Sequence, residues 1–420
     1  MLKIIETGDE SYETTVASLS RRGDADLERV EPAVREILDS VRERGDSAIR
    51  ECAERFEKRV VGEIVLKDWR KRAARVSPDV RALLVQADAR IRAYHEHQID
   101  KGFEYEDQGV RLGQRVRPLS SVGVYAPGGK ASYPSSVLMC ASVASVAGVK
   151  RIVLATPNPS DIVLAAAEIA GVHEVIDAGG AQAVGALAYG TESVVPVDKI
   201  VGPGNIYVAC AKRLVYGRVD IDSIAGPSEI LVVADDGADP AIVAADLLSQ
   251  AEHDEAAYAL LITISRSHAD AVMAALETQL AALPRNEIAL ASLEANGVCL
   301  VAGSREEAAR VADLLAAEHL ALAVEKPREM LKSIGAAGAV FLGYHTPEAA
   351  GDYAAGPSHV LPTGGSARFA SPLGVYDFMV RTSLIEYSKA ALEAQGDLLE
   401  GLARLEGLEA HAQAVAKRRE

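Results

Sequence analysis

The residues best suited to chemistry begin in one stretch, Asp222 to Asp254. Its second half reads Asp239-Pro-Ala-Ile-Val-Ala-Ala-Asp-Leu-Leu-Ser-Gln-Ala-Glu-His253. Asp239 and Pro240 have the character of an N-cap and a first-turn proline. Ile242, Val243, Leu247 and Leu248 recur at helical spacing. Gln250 and His253 fall three apart near the C-terminal end of that helix, neighbours on one face. An amide oxygen and an imidazole nitrogen so placed can share a metal ion, and zinc tolerates such a mixed pair. The pair equally fits an ordinary polar helix end, with the histidine favoured by the helix dipole. Upstream, Asp222-Ser-Ile-Ala-Gly-Pro-Ser-Glu229 feeds the apolar run Ile230-Leu-Val-Val233, so a strand precedes the turn and the helix.

Other chemically able residues lie downstream. A Gly/Pro-rich segment from Gly351 to Gly365 is too irregular for a strand, and its Asp352 and His359 suit ligand or acid–base chemistry. Glu318 and His319 are adjacent, and the tail carries Leu405-Glu-Gly-Leu-Glu-Ala-His411. His95 and His97, two apart on a helix, point to different faces and read as solvated.

The elements that must position these groups change character along the chain. Residues 1–100 are charged and helical in pattern, with amphipathic stretches at Glu31 to Arg42 and Ala53 to Glu57 and a helix from Pro78 to His97. From Ser121, strands alternate with helices: Ser121 to Ala126, Arg151 to Thr156, Glu174 to Asp177 and Lys199 to Val201 are strands. Pro134 to Ala147, Asp161 to Ala170, Ala181 to Tyr189 and Asn205 to Val215 are helices. A second set follows, with strands at Tyr258 to Ser265, Gly297 to Val301 and Ala336 to Leu342, helices at Ala269 to Leu283 and Arg305 to Ala317, and a helical tail from Tyr376. Such alternation predicts an α/β fold of two similar, incomplete Rossmann-like doubly wound lobes with small helical N- and C-terminal extensions. Ligands then bind beyond the carboxyl ends of strands. Three turns stand there: Tyr125-Ala-Pro-Gly-Gly129, continuing to Lys130, Gly179-Gly-Ala-Gln182 and Gly202-Pro-Gly-Asn205. Their glycines let backbone approach a phosphate at a helix N-terminus. None is the dinucleotide fingerprint GxGxxG, so plain βα turns remain an equal reading.

Bulk properties exclude several classes. The 420 residues carry a net charge of −16 with acids and bases interspersed, which argues against nucleic-acid or anionic-membrane partners. The longest apolar run, Val137 to Val149, is too short to span a bilayer. The N-terminal residues lack an apolar signal core. Cys52, Cys140, Cys210 and Cys299 form no CxxC pair and read as buried thiols of a cytoplasmic protein.

Taken together, the chain closely resembles the histidinol dehydrogenase family over nearly its whole length. The motifs that carry this are Ala225-Gly-Pro-Ser-Glu229 through Ser249-Gln-Ala-Glu-His253, Tyr125-Ala-Pro-Gly-Gly, Gly-Gly-Ala-Gln182, Gly202-Pro-Gly-Asn-Ile-Tyr207, Glu318-His-Leu, Gly351-Asp-Tyr-Ala, His359-Val-Leu-Pro-Thr-Gly-Gly365 and Glu406-Gly-Leu-Glu-Ala-His411. The resemblance implies oxidation of L-histidinol through L-histidinal to L-histidine, the last steps of histidine biosynthesis, with two NAD and bound zinc. It assigns Gln250, His253, Asp352 and His411 as zinc ligands and Glu318 and His319 as the catalytic pair. Ser228, His359 and Glu406 join the ligands and His319 as substrate contacts, and Tyr125, Gln182 and Asn205 contact NAD. In the family zinc holds the substrate's imidazole and amine as a template. The family also implies a homodimer with shared active sites, the C-terminal helix supplying the last ligand to the partner's site. Its domains map here as an N-terminal extension 1–20, a lobe of 21–120 plus 230–372 with the metal and catalytic residues, an NAD-binding lobe 121–229, and a helical dimerisation segment 373–420. The chain departs from the common family spelling at Ser358, usually Asn, at Cys140-Ala-Ser, usually Asn-Ala-Ile, and at Glu57-Lys58, often Asp-Gly. The other reading on this scaffold is a zinc/NAD dehydrogenase of another polyol, such as a sulfonated diol. A zinc hydrolase or a non-catalytic scaffold are the readings from other classes.

Overall fold

Runs of β-branched and aliphatic residues, each followed by a helix, build two parallel sheets in this computed structural model, which describes residues 1–22, 27–128 and 132–420. Gly129 and Lys130 of the first glycine turn therefore lie outside the described residues. The strands in chain order are β1 (Lys3–Glu6), β2 (Phe103–Asp107), β3 (Val110–Pro118), β4 (Ser121–Tyr125), β5 (Arg151–Ala155), β6 (Glu174–Ile176) and β7 (Lys199–Val201). They continue with β8 (Asp220–Ile221), β9 (Glu229–Ala234), β10 (Tyr258–Thr263), β11 (Val298–Val301), β12 (His319–Ala323), β13 (Ala339–Leu342) and β14 (Met379–Tyr387). One sheet has the order β6-β5-β4-β7-β8, the other β1-β11-β10-β9-β12-β13. Within each, the chain winds outward from β4 or β9 and then crosses to the opposite side, at β7 or β12. The two lobes thus repeat one topology, and all their pairings are parallel.

Strand Glu229–Ala234, apolar after its first residue, is buried along its length, as expected for a parallel strand covered on both faces. Helix Pro240–Ala251 starts as its sequence predicts, with Asp239 Oδ1 accepting from the Ala241 N–H at 2.8 Å. Among the described residues, no helix is long and apolar enough to cross a membrane. All four cysteines are free and buried, and burial pushes the Cys140 thiol up.

The structure corrects the sequence reading at both ends. The N-terminal stretch is not only helical: β1 joins the second sheet beside β11, with Lys3 opposite Val298. The tail from Tyr376 is not helical throughout, because β14 pairs antiparallel with β3 along nine residues, giving a third sheet β14-β3-β2. Helices Lys389–Leu405 and Glu409–Arg419 follow it. The grouping of 21–120 with the second lobe also changes. Val34 and Leu38 of helix Leu27–Arg44 pack with Val184 and Leu187, and Ile91 of helix Pro78–Glu96 packs with Val143 and Ala166, all against the first lobe. An amphipathic helix advertises an apolar face but not which sheet receives it.

Candidate active site

The candidate catalytic pair sits at the amino edge of the second sheet. His319 is the first residue of β12, a strand held between β9 and β13, and its backbone is aligned with Ile230 and Ala339. The His319 Nδ1–H donates to the Glu229 carbonyl oxygen at 2.9 Å. That bond fixes the tautomer and leaves Nε2 as a bare acceptor, 3.4 Å from Glu348 Oε1 and 3.8 Å from Asp352 Oδ1. Burial lowers the pKa of His319, with Asp352 acting in the opposite direction.

Glu318 is equally buried, and its placement comes from Glu229. The Glu229 N–H donates to Glu318 Oε2 at 2.8 Å, and the Glu318 N–H donates to Glu229 Oε1 at 3.0 Å. Glu229 is itself neutralised by a buried ion pair with Arg22, whose Nη2 donates to Oε1 at 2.8 Å. Gly364 N–H donates to the same oxygen at 3.1 Å, drawing the segment after His359 onto β9. Burial raises the Glu318 carboxyl well above the usual range, and the Glu229 charge adds to that.

Asp352 lies on a short helix, Glu348–Tyr353, not in irregular chain as its surroundings predicted. The His359 Nδ1–H donates to the Asp352 carbonyl oxygen at 3.1 Å, with Asp352 Oδ1 3.8 Å away. Burial lowers the His359 pKa and Asp352 counteracts it. Gln250 is in the last turn of its helix, and the His253 N–H donates to the Gln250 carbonyl at 3.1 Å, so His253 follows in the next turn. His253 is exposed. Ser228 is half-buried just before β9. Ser358 lines the same cavity, but its hydroxyl donates to the Met139 carbonyl at 3.2 Å and the residue is 2 % exposed, so the hydroxyl is engaged by helix Pro134–Ala147.

Does this cluster suit a metal? His319, Glu348 and Asp352 bring donor atoms within 4.8 Å of one another. Gln250, only 1 % exposed, has a buried side-chain oxygen without a partner. An orphaned buried acceptor is costly, and a cation relieves it. Mixed amide, imidazole and carboxylate donors fit zinc. Glu406 and His411, in contrast, sit on the C-terminal helical pair. Glu406 closes helix Lys389–Leu405, Gly407 turns the chain at φ +74°, and His411 is exposed on helix Glu409–Arg419. Among the described residues, no hydrogen bond or ion pair ties either one to the cluster within one chain.

The three expected cofactor contacts gather at carboxyl ends of strands in the first lobe. Tyr125 ends β4, and its hydroxyl accepts from the Gly180 N–H at 3.1 Å. Gln182 is buried in the first turn of helix Gly180–Tyr189, where its Nε2 donates to Glu57 Oε1 at 3.4 Å. Asn205 caps helix Ile206–Val215 through Oδ1, accepting from Tyr207 and Val208 N–H groups at 3.1 and 3.2 Å. Two helix N-termini therefore lie beside these strand ends, an arrangement that attracts phosphate.

Two residues of this region were missed from sequence. Glu348 is 2 % exposed, accepts from the Ser249 hydroxyl at 3.3 Å, and has its carboxyl pushed up to about 8 by burial, with Asp352 adding to the rise. Its signal was present: it opens a helix four residues before Asp352, on the same face. His95 corrects a reading outright. It is fully buried, not solvated, and it lines the same roughly 520 Å³ cavity as His319, Asp352 and His359, whereas His97 is exposed as expected. Asp88, Ile91 and His95 share one helical face, and that spacing pointed inward.

A separate cavity of about 250 Å³ lies at the opposite, carboxyl edge of the second sheet, lined by Ile242, Asp246, Ala321 and Tyr344 among others. Burial pushes the Asp246 carboxyl up to about 6. A raised folded-state pKa means that stability is fully present below the unfolded value of about 3.9 and is lost as pH rises through the folded one. Asp246→Asn should therefore stabilise the fold by about 1–2 kcal/mol near neutral pH, after discounting for partial exposure. The gain should vanish by about pH 4. Thermal melts of both proteins across that range check it, and a pH-independent difference would rule it out.

Two doubly wound lobes, one with two helix N-termini at its strand ends and the other with a buried histidine beside two acidic side chains, have the layout expected of a nucleotide-dependent oxidoreductase. The chain belongs to the histidinol dehydrogenase family, whose profile matches residues 20–419. It is 50% identical over 405 residues to histidinol dehydrogenase of Aquifex aeolicus, spanning 96% of this chain and 95% of that one. It is 49% identical over 410 residues to the Bacillus subtilis enzyme, spanning 96% of each. The crystal structure of histidinol dehydrogenase from Elizabethkingia anophelis superposes with a TM-score of 0.93 at 34% identity, covering 99% of this chain and 98% of that one. An acetylating aldehyde dehydrogenase from Geobacillus thermoglucosidasius reaches a TM-score of 0.50 at 15% identity over 89% of this chain and 97% of that one, a likeness of fold alone.

Proposed function

We propose that this protein is an NAD-dependent histidinol dehydrogenase, oxidising L-histidinol through L-histidinal to L-histidine. The observation that carries the reading is the His319 imidazole, held by the Glu229 carbonyl so that Nε2 faces the site cavity as an acceptor. Alcohol oxidation needs a base to take the hydroxyl proton as hydride leaves carbon, and a neutral histidine suits that task. NAD bound over Tyr125, Gln182 and Asn205 supplies the hydride acceptor. In the second oxidation water must add to the aldehyde. Glu318, next along the chain, is the group to activate that water, and the Glu229 backbone orients its carboxylate.

Gln250, His253 and Asp352, with His411 of a second copy, are the residues to hold zinc. Bound there, zinc supplies a template for the substrate's imidazole and amine. The orphaned Gln250 oxygen supports this set. Ser228, His359 and Glu406 complete the substrate contacts, Glu406 by charge toward the amine. The working form on this reading is a cytoplasmic homodimer with shared sites. Support comes from the exposed apolar side chains of the C-terminal helices, Leu398 at 62%, Leu402 at 53% and Leu405 at 84%, which a lone chain leaves in water.

NADH formation with L-histidinol tests the proposal. Turnover should be lost on chelation and regained with zinc. A zinc-loaded dimer without turnover would sink the substrate assignment, and turnover indifferent to thorough chelation would sink the metal template.

A further inference from the structure

His95 stands in an environment that a merely structural histidine does not need. It is 0% exposed at the end of helix Pro78–Glu96 and lines the site cavity. Its Nδ1 lies 2.8 Å from Gln98 Oε1. That oxygen also accepts from the Val375 N–H at 3.0 Å, so it serves as acceptor to both and His95 Nδ1 must carry the hydrogen. Nε2 is then a lone-pair acceptor, and it is buried without any partner. An unpaired buried acceptor is costly, and a phenylalanine or leucine would fill the space without that loss. Burial lowers the His95 pKa, which keeps the ring neutral and Nε2 able to accept.

The position is also fixed from outside. Gly356 adopts φ +122°, and a Cβ there would come within 2.9 Å of Tyr94 Cβ. At Gly374 a Cβ would come within 2.8 Å of Gln98 Oε1 and 2.5 Å of the Tyr376 ring. Two glycines thus let the segments on either side close onto this helix end, one of them running directly between Asp352 and His359.

We infer that His95 Nε2 is a substrate-positioning acceptor, taking a hydrogen bond from the amine N–H or the hydroxyl of the bound amino alcohol, directly or through one ordered water. This rests on the histidinol reading and adds to it a group on the cavity wall contributed by the N-terminal helices. Asparagine in place of histidine keeps a donor near Gln98 and removes the acceptor, whereas glutamine reaches the Nε2 position.

His95→Asn should lower kcat/KM for L-histidinol about 10- to 100-fold, mostly through KM, with KM for NAD and the melting temperature unchanged. His95→Gln should recover much of the loss. A crystal structure of the zinc-loaded wild type, with and without L-histidinol, should show a ligand or water atom within hydrogen-bond distance of Nε2. Equal changes in both KM values, no change in kcat/KM, or an Nε2 facing only carbon would overturn the role. Absence of wild-type turnover would count against the histidinol reading instead. In that case the presence or absence of an ordered donor at Nε2 still decides for or against the acceptor.

Discussion

His319→Asn should lower the rate of the first oxidation by about 10²–10⁴-fold if His319 is the base, the usual contribution of a positioned general base. The substitution is chosen for what it preserves. An asparagine amide can still donate to the Glu229 carbonyl, the bond that Nδ1 makes at 2.9 Å, so the start of β12 keeps its anchor. What disappears is the Nε2 lone pair that faces Asp352 and Glu348. The first step should therefore fail while zinc content, NAD binding and the melting temperature persist. Single-turnover NADH formation from L-histidinol, set beside turnover of supplied L-histidinal, separates the two oxidations. A first-step rate within twofold of wild type would remove His319 from the base role. A matched loss of zinc would make it a ligand instead.

A second large effect concerns where the site ends. His253→Asn and His411→Asn should each be inactive alone. Mixed and allowed to exchange subunits, they should recover activity, because a hybrid dimer holds one site with both lesions and one with neither. Random exchange makes half the dimers hybrid, so about a quarter of wild-type activity is expected. The structure motivates the experiment through distance along the fold: His253 follows the helix after β9, while His411 rides the exposed pair of helices beyond β14. Hybrids verified by mass but inactive would return the whole donor set to a single chain.

Much of the fold was legible because both sheets are parallel and covered on both faces. Runs such as Ile230-Leu-Val-Val233 and Ile152-Val-Leu-Ala155 are continuously apolar, and turns punctuate them. β14 escaped for the opposite reason. Met379–Tyr387 is mostly exposed along its length, so no buried face imprints an alternation, and its partner β3 is more than two hundred and fifty residues away in sequence. β1 has only four residues, too few to carry a period. At the site, residue types and spacing singled out Gln250, His253, Asp352 and His359, but their roles came from the resemblance to a family. His95 and Glu348 were marked only by spacing, His95 with Asp88 and Ile91 and Glu348 with Asp352, because the segments that close over the end of the His95 helix, around Gly356 and Gly374, are far away in sequence.

The ladder between β14 and β3 has a thermodynamic consequence. It ties the tail to the body along nine residues, so the helices that carry His411 are anchored by a paired strand. If they complete a neighbour's donor set, assembly and metal loading become linked equilibria. Zinc then favours the dimer by mass action, and dilution favours release of zinc. Histidine synthesis in a metal-starved cell would accordingly fall more steeply than metal occupancy of any isolated chain, because each lost ion also loosens the contact that holds the second.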